Sequence, residues 1–315
     1  MAKTLITSIG IEHDTTSIRA AKLNLTLSGS KTSVKVMGLS ELYGDFSNDD
    51  NISGGMKKIK EKIAVNPSDR VVTCLAGKQV YVAQMPFKKL ADDEMKGALR
   101  IEIKKNLPFE VAGAAIDYQL VEGSKKDNLY QFIVTAAPSI MLTRHVNMME
   151  RLGIKPYIID VLPLAIANAF TLSQQSFAMG LAYVVLHIGP AVTNIVICGD
   201  DSVPFFHRSI YFVADDVFGD REQPLTGEET GKKLQELTEE VGRSISYYEK
   251  TYSLNKFAGV FLLGEYLDND VIREAVASKT NLTAEILDVF STLKQASNAP
   301  KGKFEVAMGL AMRNA

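Results

Sequence analysis

Two stretches of this chain repeat one pattern, in which a strand runs into an Ile-Gly turn and a second strand follows. The first stretch covers residues 5–18 and the second covers residues 183–195. Both carry Thr or Ser close to the turn, where backbone N–H groups and hydroxyls can point at phosphate oxygens. A hairpin duplicated in this way predicts a phosphate-cradling α/β fold with two related halves.

Charge, hydropathy and motif content exclude several classes of function. The formal net charge of −2 gives no electrostatic reason for nucleic-acid binding. No apolar run approaches the roughly 20 residues of a membrane-spanning helix, so no membrane span is predicted. The histidines are scattered without the spacing of metal ligands, and no nucleophile motif occurs. We therefore predict neither a metal centre nor a catalytic residue.

Local patterns predict mixed helices and strands along the whole chain. A helix is expected to begin at Asp92, because acidic residues favour a helix N-terminus, and to end before Pro108. Another helix is expected to have Ser139 as its N-cap. Thr226 and Glu229 have the spacing of a capping box at the start of a long helix.

An ordered series of further segments carries a family resemblance. The segments are residues 100–109 (which end in Pro-Phe), 116–120, 132–138, 150–156, 159–161 and 206–210. In this order they are similar to the PilM family, a cytoplasmic component of bacterial type IV pilus assembly. The resemblance spans nearly the whole chain. It implies an actin-like (ribonuclease H-like, duplicated) two-lobed α/β fold with an inserted small α/β subdomain.

The same resemblance implies domain boundaries. The first lobe is expected to comprise residues 1–81 and 157–178, with a C-terminal helix over residues 304–315. The inserted subdomain is expected at residues 82–156, and the second lobe at residues 179–303.

The family's nucleotide motifs are located in this chain by position. The cofactor-binding residues implied by the resemblance are Gly10, Glu12, Thr15, Thr16, Ser17, His187, Gly189, Thr193 and Gly264. The departures from the family pattern are Asp14 and Glu265 in place of glycines, His187 in place of an aspartate, and Pro190 after the second turn. An added carboxylate repels phosphate, and a neutral imidazole is a poor magnesium ligand.

These departures predict a degenerate, non-hydrolysing nucleotide site, with weak ATP binding at most and magnesium only if ATP binds. An active actin-like ATPase of the same fold is the alternative. Two core hairpins without any ligand would also explain the turn glycines and threonines. A filament-forming, membrane-tethered FtsA-like protein is a third class, but the amphipathic tether expected of it is missing after the last core helix.

The resemblance implies a scaffold. In the family, a groove between the first lobe and the inserted subdomain takes the N-terminal tail of an inner-membrane partner, PilN. On this basis a PilN-like tail and other pilus-assembly proteins are the expected partners. The location implied is cytoplasmic, at the inner face of the inner membrane. The partner-binding residues would be Val82, Leu99, Ile103, Leu107 and Phe109.

Overall fold

The structure is a computed structural model that describes residues 4–28, 31–121, 128–174, 176–219, 226–268, 270–295 and 298–313. The strands are β1 (Thr4–His13), β2 (Ser17–Ser28), β3 (Lys31–Tyr43), β4 (Arg70–Leu75), β5 (Tyr81–Phe87), β6 (Ala114–Leu120), β7 (Tyr130–Pro138), β8 (Pro156–Val161), β9 (Ala182–Ile188), β10 (Thr193–Cys198), β11 (Phe206–Ile210), β12 (Phe257–Gly264) and β13 (Ala284–Ile286). The helices are α1 (Asp49–Lys62), α2 (Asp92–Ile103), α3 (Ser139–Arg151), α4 (Leu162–Ser173), α5 (Asp215–Phe218), α6 (Gly227–Tyr252), α7 (Asp270–Thr280), α8 (Val289–Leu293) and α9 (Glu305–Ala311).

Two five-stranded sheets share one plan. Their strand orders are β3-β2-β1-β4-β8 and β11-β10-β9-β12-β13. In each sheet the first three strands pair antiparallel, and the remaining pairs are parallel. The predicted hairpins are therefore β1–β2 and β9–β10, at equivalent places in the two sheets, and the predicted duplication is present in the fold.

A third sheet of order β5-β7-β6 forms a separate small layer with α2. Its core is apolar and comes from the inner faces of α2, β6 and β7. The buried members are Met95, Leu99, Ile103, Ala114, Ile116, Phe132, Val134 and Ala136. Within the residues described, no helix combines the length and the apolarity that a bilayer crossing requires.

Two segments pack with a different layer from the one expected. Met149 of α3 and Ile154 after it are buried beside β1 and α1 of the first sheet, although the inserted subdomain was expected to extend to residue 156. Val289 and Phe290 of α8 are buried against β1, β2 and α9, although the resemblance places them in the second lobe. We therefore propose that the inserted segment ends near residue 138 and the second lobe near residue 287.

The helix termini test the local patterns. Helix α2 begins at Asp92 as predicted, and Thr226 and Glu229 form the predicted capping box of α6. The prediction for Ser139 is wrong, because β7 runs through Pro138 directly into α3, and Pro138 occupies the cap position without a side-chain hydrogen bond. The last helix covers Glu305–Ala311, and residues 314–315 of the expected helix lie outside those described.

Strand β3 is an edge strand of the first sheet. The side-chain amide of Gln295, just after α8, lies alongside it. Its Oε1 accepts from the backbone nitrogen of Val36 at 2.8 Å, and its Nε2 donates to the carbonyl oxygen of Val34 at 2.8 Å. One side chain thus pairs with two backbone groups of β3, as a neighbouring strand would.

Candidate functional site

A cleft of ≈ 510 Å³ lies where the two predicted hairpins meet. The β1–β2 hairpin contributes Glu12, Asp14 and Thr15, and the β9–β10 hairpin contributes His187 and Gly189. A second cavity of ≈ 280 Å³ is lined by Thr16 and Gly264, together with Tyr43 and Tyr266. The predicted cofactor-binding residues that line neither cavity are Gly10, Ser17 and Thr193.

The predicted glycines have packing reasons that require no ligand. A Cβ atom on Gly10 would overlap the carbonyl oxygen of Ala307 on α9. A Cβ atom on Gly189 would lie 2.5 Å from a carbonyl oxygen of its own turn. Gly264 has a φ of +112°, which L side chains rarely adopt, and a Cβ atom there would overlap the backbone of Ile188. Close approach of backbone to backbone therefore explains these positions.

The Asp14 carboxylate closes the β1–β2 turn. Its Oδ1 accepts from the backbone nitrogens of Thr16 and Ser17, both at 2.7 Å, and from the Thr16 hydroxyl at 3.0 Å. Its Oδ2 accepts from the Ser17 hydroxyl at 3.0 Å. Backbone N–H groups and hydroxyls at a tight turn are the donors that hold a phosphate. The Asp14 side chain occupies these donors and takes the place that a bound phosphate would have.

A buried arginine joins the acidic residues of the site. Arg19, on β2, is 3% exposed. Its Nε donates to Glu41 Oε1 at 2.6 Å, its Nη2 donates to Glu265, and its Nη1 lies 3.9 Å from Asp14 Oδ2. A buried charge is tolerated when it is paired and hydrogen-bonded. Asp14 and Glu265, the two acidic departures, thus share one positive partner.

Burial sets the protonation of the groups that would face magnesium. It raises the pKa of Glu12 to about 8, against the opposing effect of Arg19, so this carboxyl is largely neutral at pH 7. Burial also lowers the pKa of His187 to about 4, and among the described residues its Nδ1 has no hydrogen-bond partner. Magnesium prefers charged oxygen ligands. The residues present therefore do not fit a magnesium–nucleotide complex.

Two residues of the second hairpin, Thr193 and Pro190, offer no donor to the cleft. Thr193 is buried, and its hydroxyl donates to the carbonyl oxygen of Phe212 at 3.4 Å. Pro190 lines the cleft but has no backbone N–H.

Among the described residues, no group of three His, Cys, Asp or Glu side chains is placed to hold a metal ion. Thr15, on the first turn, remains exposed.

Three of the five positions predicted to bind a partner are buried, so the structure does not expose them as anchors for a partner. Leu99 and Ile103 are one helical turn apart on the inner face of α2. The neighbouring Ile101 points outward and is 78% exposed. Leu99 and Ile103 are buried in the core of the inserted sheet, and Leu107 and Phe109 are partly buried against it. Val82 is buried in a different cluster, which includes residues of β4 and α4.

Sequence reasoning missed one whole wall of the cleft, which we call the apolar limb. It consists of Phe46, Ile52, Ile140, Met141 and Met148. Helix α3 supplies the last three, and Ile140 is 72% exposed. The sequence signal for this wall is Ile140, an isoleucine placed outside the buried face of α3.

Arg19 was missed as well. It stands in the strand-like run Ser17-Ile-Arg-Ala-Ala, where a charge among apolar residues is a signal for a buried ion pair. Its partner Glu265 is 246 positions away along the chain. Nothing in the local pattern identifies such a partner.

Comparison with known proteins gives consistent findings. A family model described as type IV pilus assembly protein PilM matches residues 13–217. A solved PilM–PilN type IV pilus biogenesis complex aligns with a TM-score of 0.78 at 18% identity, covering 97% of this chain and 98% of that chain. The ethanolamine utilization protein EutJ from Carboxydothermus hydrogenoformans aligns with a TM-score of 0.50 at 10% identity, covering 99% and 90%.

A Bacteroides thetaiotaomicron protein with an actin-like ATPase fold gives a TM-score of 0.49 at 10% identity, covering 92% of this chain and 96% of that chain. No curated protein matches. At these identities the structural likenesses show the fold. The predicted actin-like α/β fold class is confirmed.

Proposed function

The chain belongs to the family of the type IV pilus assembly protein PilM, and we propose that it is a protein-binding scaffold of a type IV pilus or a related secretion machine. Its proposed ligand is the N-terminal tail of a PilN-like inner-membrane protein, with other pilus-assembly proteins as further partners. Its proposed place is the cytoplasmic side of the inner membrane. The observation that carries this proposal is the family match together with a likeness to a PilM–PilN complex over 97% of the chain.

We place the tail in the apolar limb of the cleft. Ile140 exposes most of its side chain there, and Met141 and Met148 provide flexible side chains that adapt to a bound peptide. An apolar anchor seated in a groove is a common way to bind a peptide. Burying one such anchor contributes roughly 1.5–3 kcal/mol, and interface energy concentrates in a few residues of this kind.

Titration of the purified chain with the partner's tail tests this placement. The substitution Ile140→Glu is expected to weaken binding by at least about tenfold, which corresponds to about 1.4 kcal/mol. Ile101→Glu is the matched control, because Ile101 is equally exposed but lies on α2, outside the cleft. If Ile101→Glu weakens binding and Ile140→Glu does not, the tail docks at the inserted subdomain, which is one side of the groove that the resemblance implies. If neither peptide nor full-length partner binds, the scaffold function is wrong.

We also propose that the hairpins do not support ATP hydrolysis. This proposal is supported by the Asp14 carboxylate on the phosphate donors and by the neutral Glu12 and His187. Calorimetry with ATP and magnesium is expected to give an affinity weaker than about 1 mM, without turnover above background. Turnover that is lost in Glu12→Ala would establish the alternative, an active actin-like ATPase.

A further inference from the structure

The Arg19 ion cluster connects the two halves of the fold. Arg19 lies on β2 of the first sheet, and Glu265 directly follows β12 of the second sheet. The Nη2 of Arg19 donates to Oε1 of Glu265. Both residues are buried, at 3% and 8% exposure. This ion pair therefore crosses from one sheet to the other in the interior of the protein, next to the β1–β2 turn.

Each end of the pair is fixed to its own sheet. The Nε of Arg19 donates to Glu41 on β3 at 2.6 Å. The backbone nitrogen of Glu265 donates to the carbonyl oxygen of Ile188 on β9 at 2.8 Å. A planar guanidinium can serve both carboxylates at once, because its donors point in several fixed directions. Relative movement of the two sheets therefore acts directly on the Arg19–Glu265 contact.

Breaking this contact is unfavourable. A buried charge that loses its partner keeps the cost of its desolvation without the compensating attraction. Separation of the sheets would leave Glu265 without the guanidinium, and Arg19 with Glu41 and the more distant Asp14. The electrostatics of the cluster thus favour the arrangement of the sheets seen in the structure.

A ligand bound between the hairpins would contact both turns and join the two halves in the same way. The donors of the first turn are already occupied by Asp14. We propose that the Arg19–Glu265 pair is an internal latch that joins the two halves of the protein beside the β1–β2 turn without a ligand. The role of this latch in replacing a ligand rests on the proposed absence of a nucleotide. Whether the pair holds the two halves together is tested on the purified chain alone.

The test is the distance between the halves, measured by double electron–electron resonance. Spin labels are placed on cysteines introduced at the exposed positions Lys58 on α1 and Lys232 on α6. The natural cysteines, Cys74 and Cys198, are buried. The variant Glu265→Gln keeps the size of the side chain and removes its charge. Asp268→Asn is the matched control, since it removes an exposed charge nearby.

The wild-type chain and the Asp268→Asn control are expected to show one distance population, unchanged by ATP with magnesium. Glu265→Gln is expected to add a second, longer population while circular dichroism remains native. If Glu265→Gln does not fold, Arg19→Lys replaces it, because it keeps the charge but loses the fork geometry, and the same longer population is expected. A variant distribution identical to that of the wild type overturns the latch, as does a wild-type distance that shortens with ATP.

These outcomes are separate from those of the proposed function. Failure of the partner's tail to bind refutes the scaffold without changing the distances. Turnover of ATP by a chain whose distance does not change refutes the degenerate nucleotide site but leaves the latch in place.

Discussion

Removal of the Asp14 carboxylate is expected to convert the β1–β2 turn into an anion-binding site. In Asp14→Ala the backbone nitrogens of Thr16 and Ser17 and both hydroxyls lose their acceptor. Because the Asp14 side chain is 28% exposed, water can replace some of these hydrogen bonds, and we expect a loss of about 1 kcal/mol in the free energy of unfolding.

The gain in anion affinity follows from Coulomb's law. A unit charge about 4 Å from a bound phosphate oxygen contributes roughly 4 kcal/mol of repulsion at an effective dielectric constant of about 20. Because this site is partly open to solvent, removing the Asp14 charge is expected to relieve only part of that repulsion. We expect a gain of at least about 1.4 kcal/mol, or tenfold in affinity.

The assay is calorimetric titration with pyrophosphate at low ionic strength. Asp45→Ala is the matched control, because Asp45 is an exposed carboxylate that caps another turn, accepting from Ser47 N at 2.9 Å, and it does not line the cleft. Asp14→Ala is expected to bind pyrophosphate more tightly than both the wild type and this control. Equal binding by all three proteins would refute the view that Asp14 blocks the phosphate donors.

Two further predictions concern stability. Gly10→Ala is expected to lower the free energy of unfolding in urea by about 2–3 kcal/mol without any ligand, because its Cβ overlaps the backbone of α9. The control Gly97→Ala, on an exposed turn of α2 with open space around it, is expected to raise that free energy by about 0.5–1 kcal/mol. Equal stability of the two variants would contradict the packing explanation. Burial raises the pKa of Glu12 from 4.5 to about 8, so the folded protein holds a proton that the unfolded chain releases, and the contribution of this group to stability falls as pH rises from about 4.5 to 8. Glu12→Gln is therefore expected to become progressively more stable than the wild type as pH rises through this window, and a stability difference that stays constant with pH would count against it.

Features set by short stretches of sequence were predictable. The two hairpins, the start of α2 at Asp92 and the capping box at Thr226 depend on residues within a few positions of one another. The duplicated sheet plan is consistent with the hairpins, because the edge of each hairpin has backbone groups that further strands can pair with. The resemblance supplied the order of the remaining elements.

Features that join distant parts of the chain were not predictable. Leu99 and Ile103 are apolar whether they face a partner or the core of their own subdomain, and the periodicity of α2 does not distinguish the two. The sequence showed that Asp14 and Glu265 are acidic. It did not show that one occupies the donors of its own turn and the other neutralises Arg19. The predicted cofactor-binding set as a whole stays a prediction.

The amide of Gln295 has a consequence for solubility. Edge strands with free backbone groups recruit strands from other molecules and so begin aggregation. Strand β3 is 13 residues long, which makes it a large target for such pairing. Because Gln295 already satisfies Val36 N and Val34 O, an incoming strand must displace a side chain before it can pair in this stretch. Wherever copies of the chain come close together, this single amide helps to keep them from joining edge to edge.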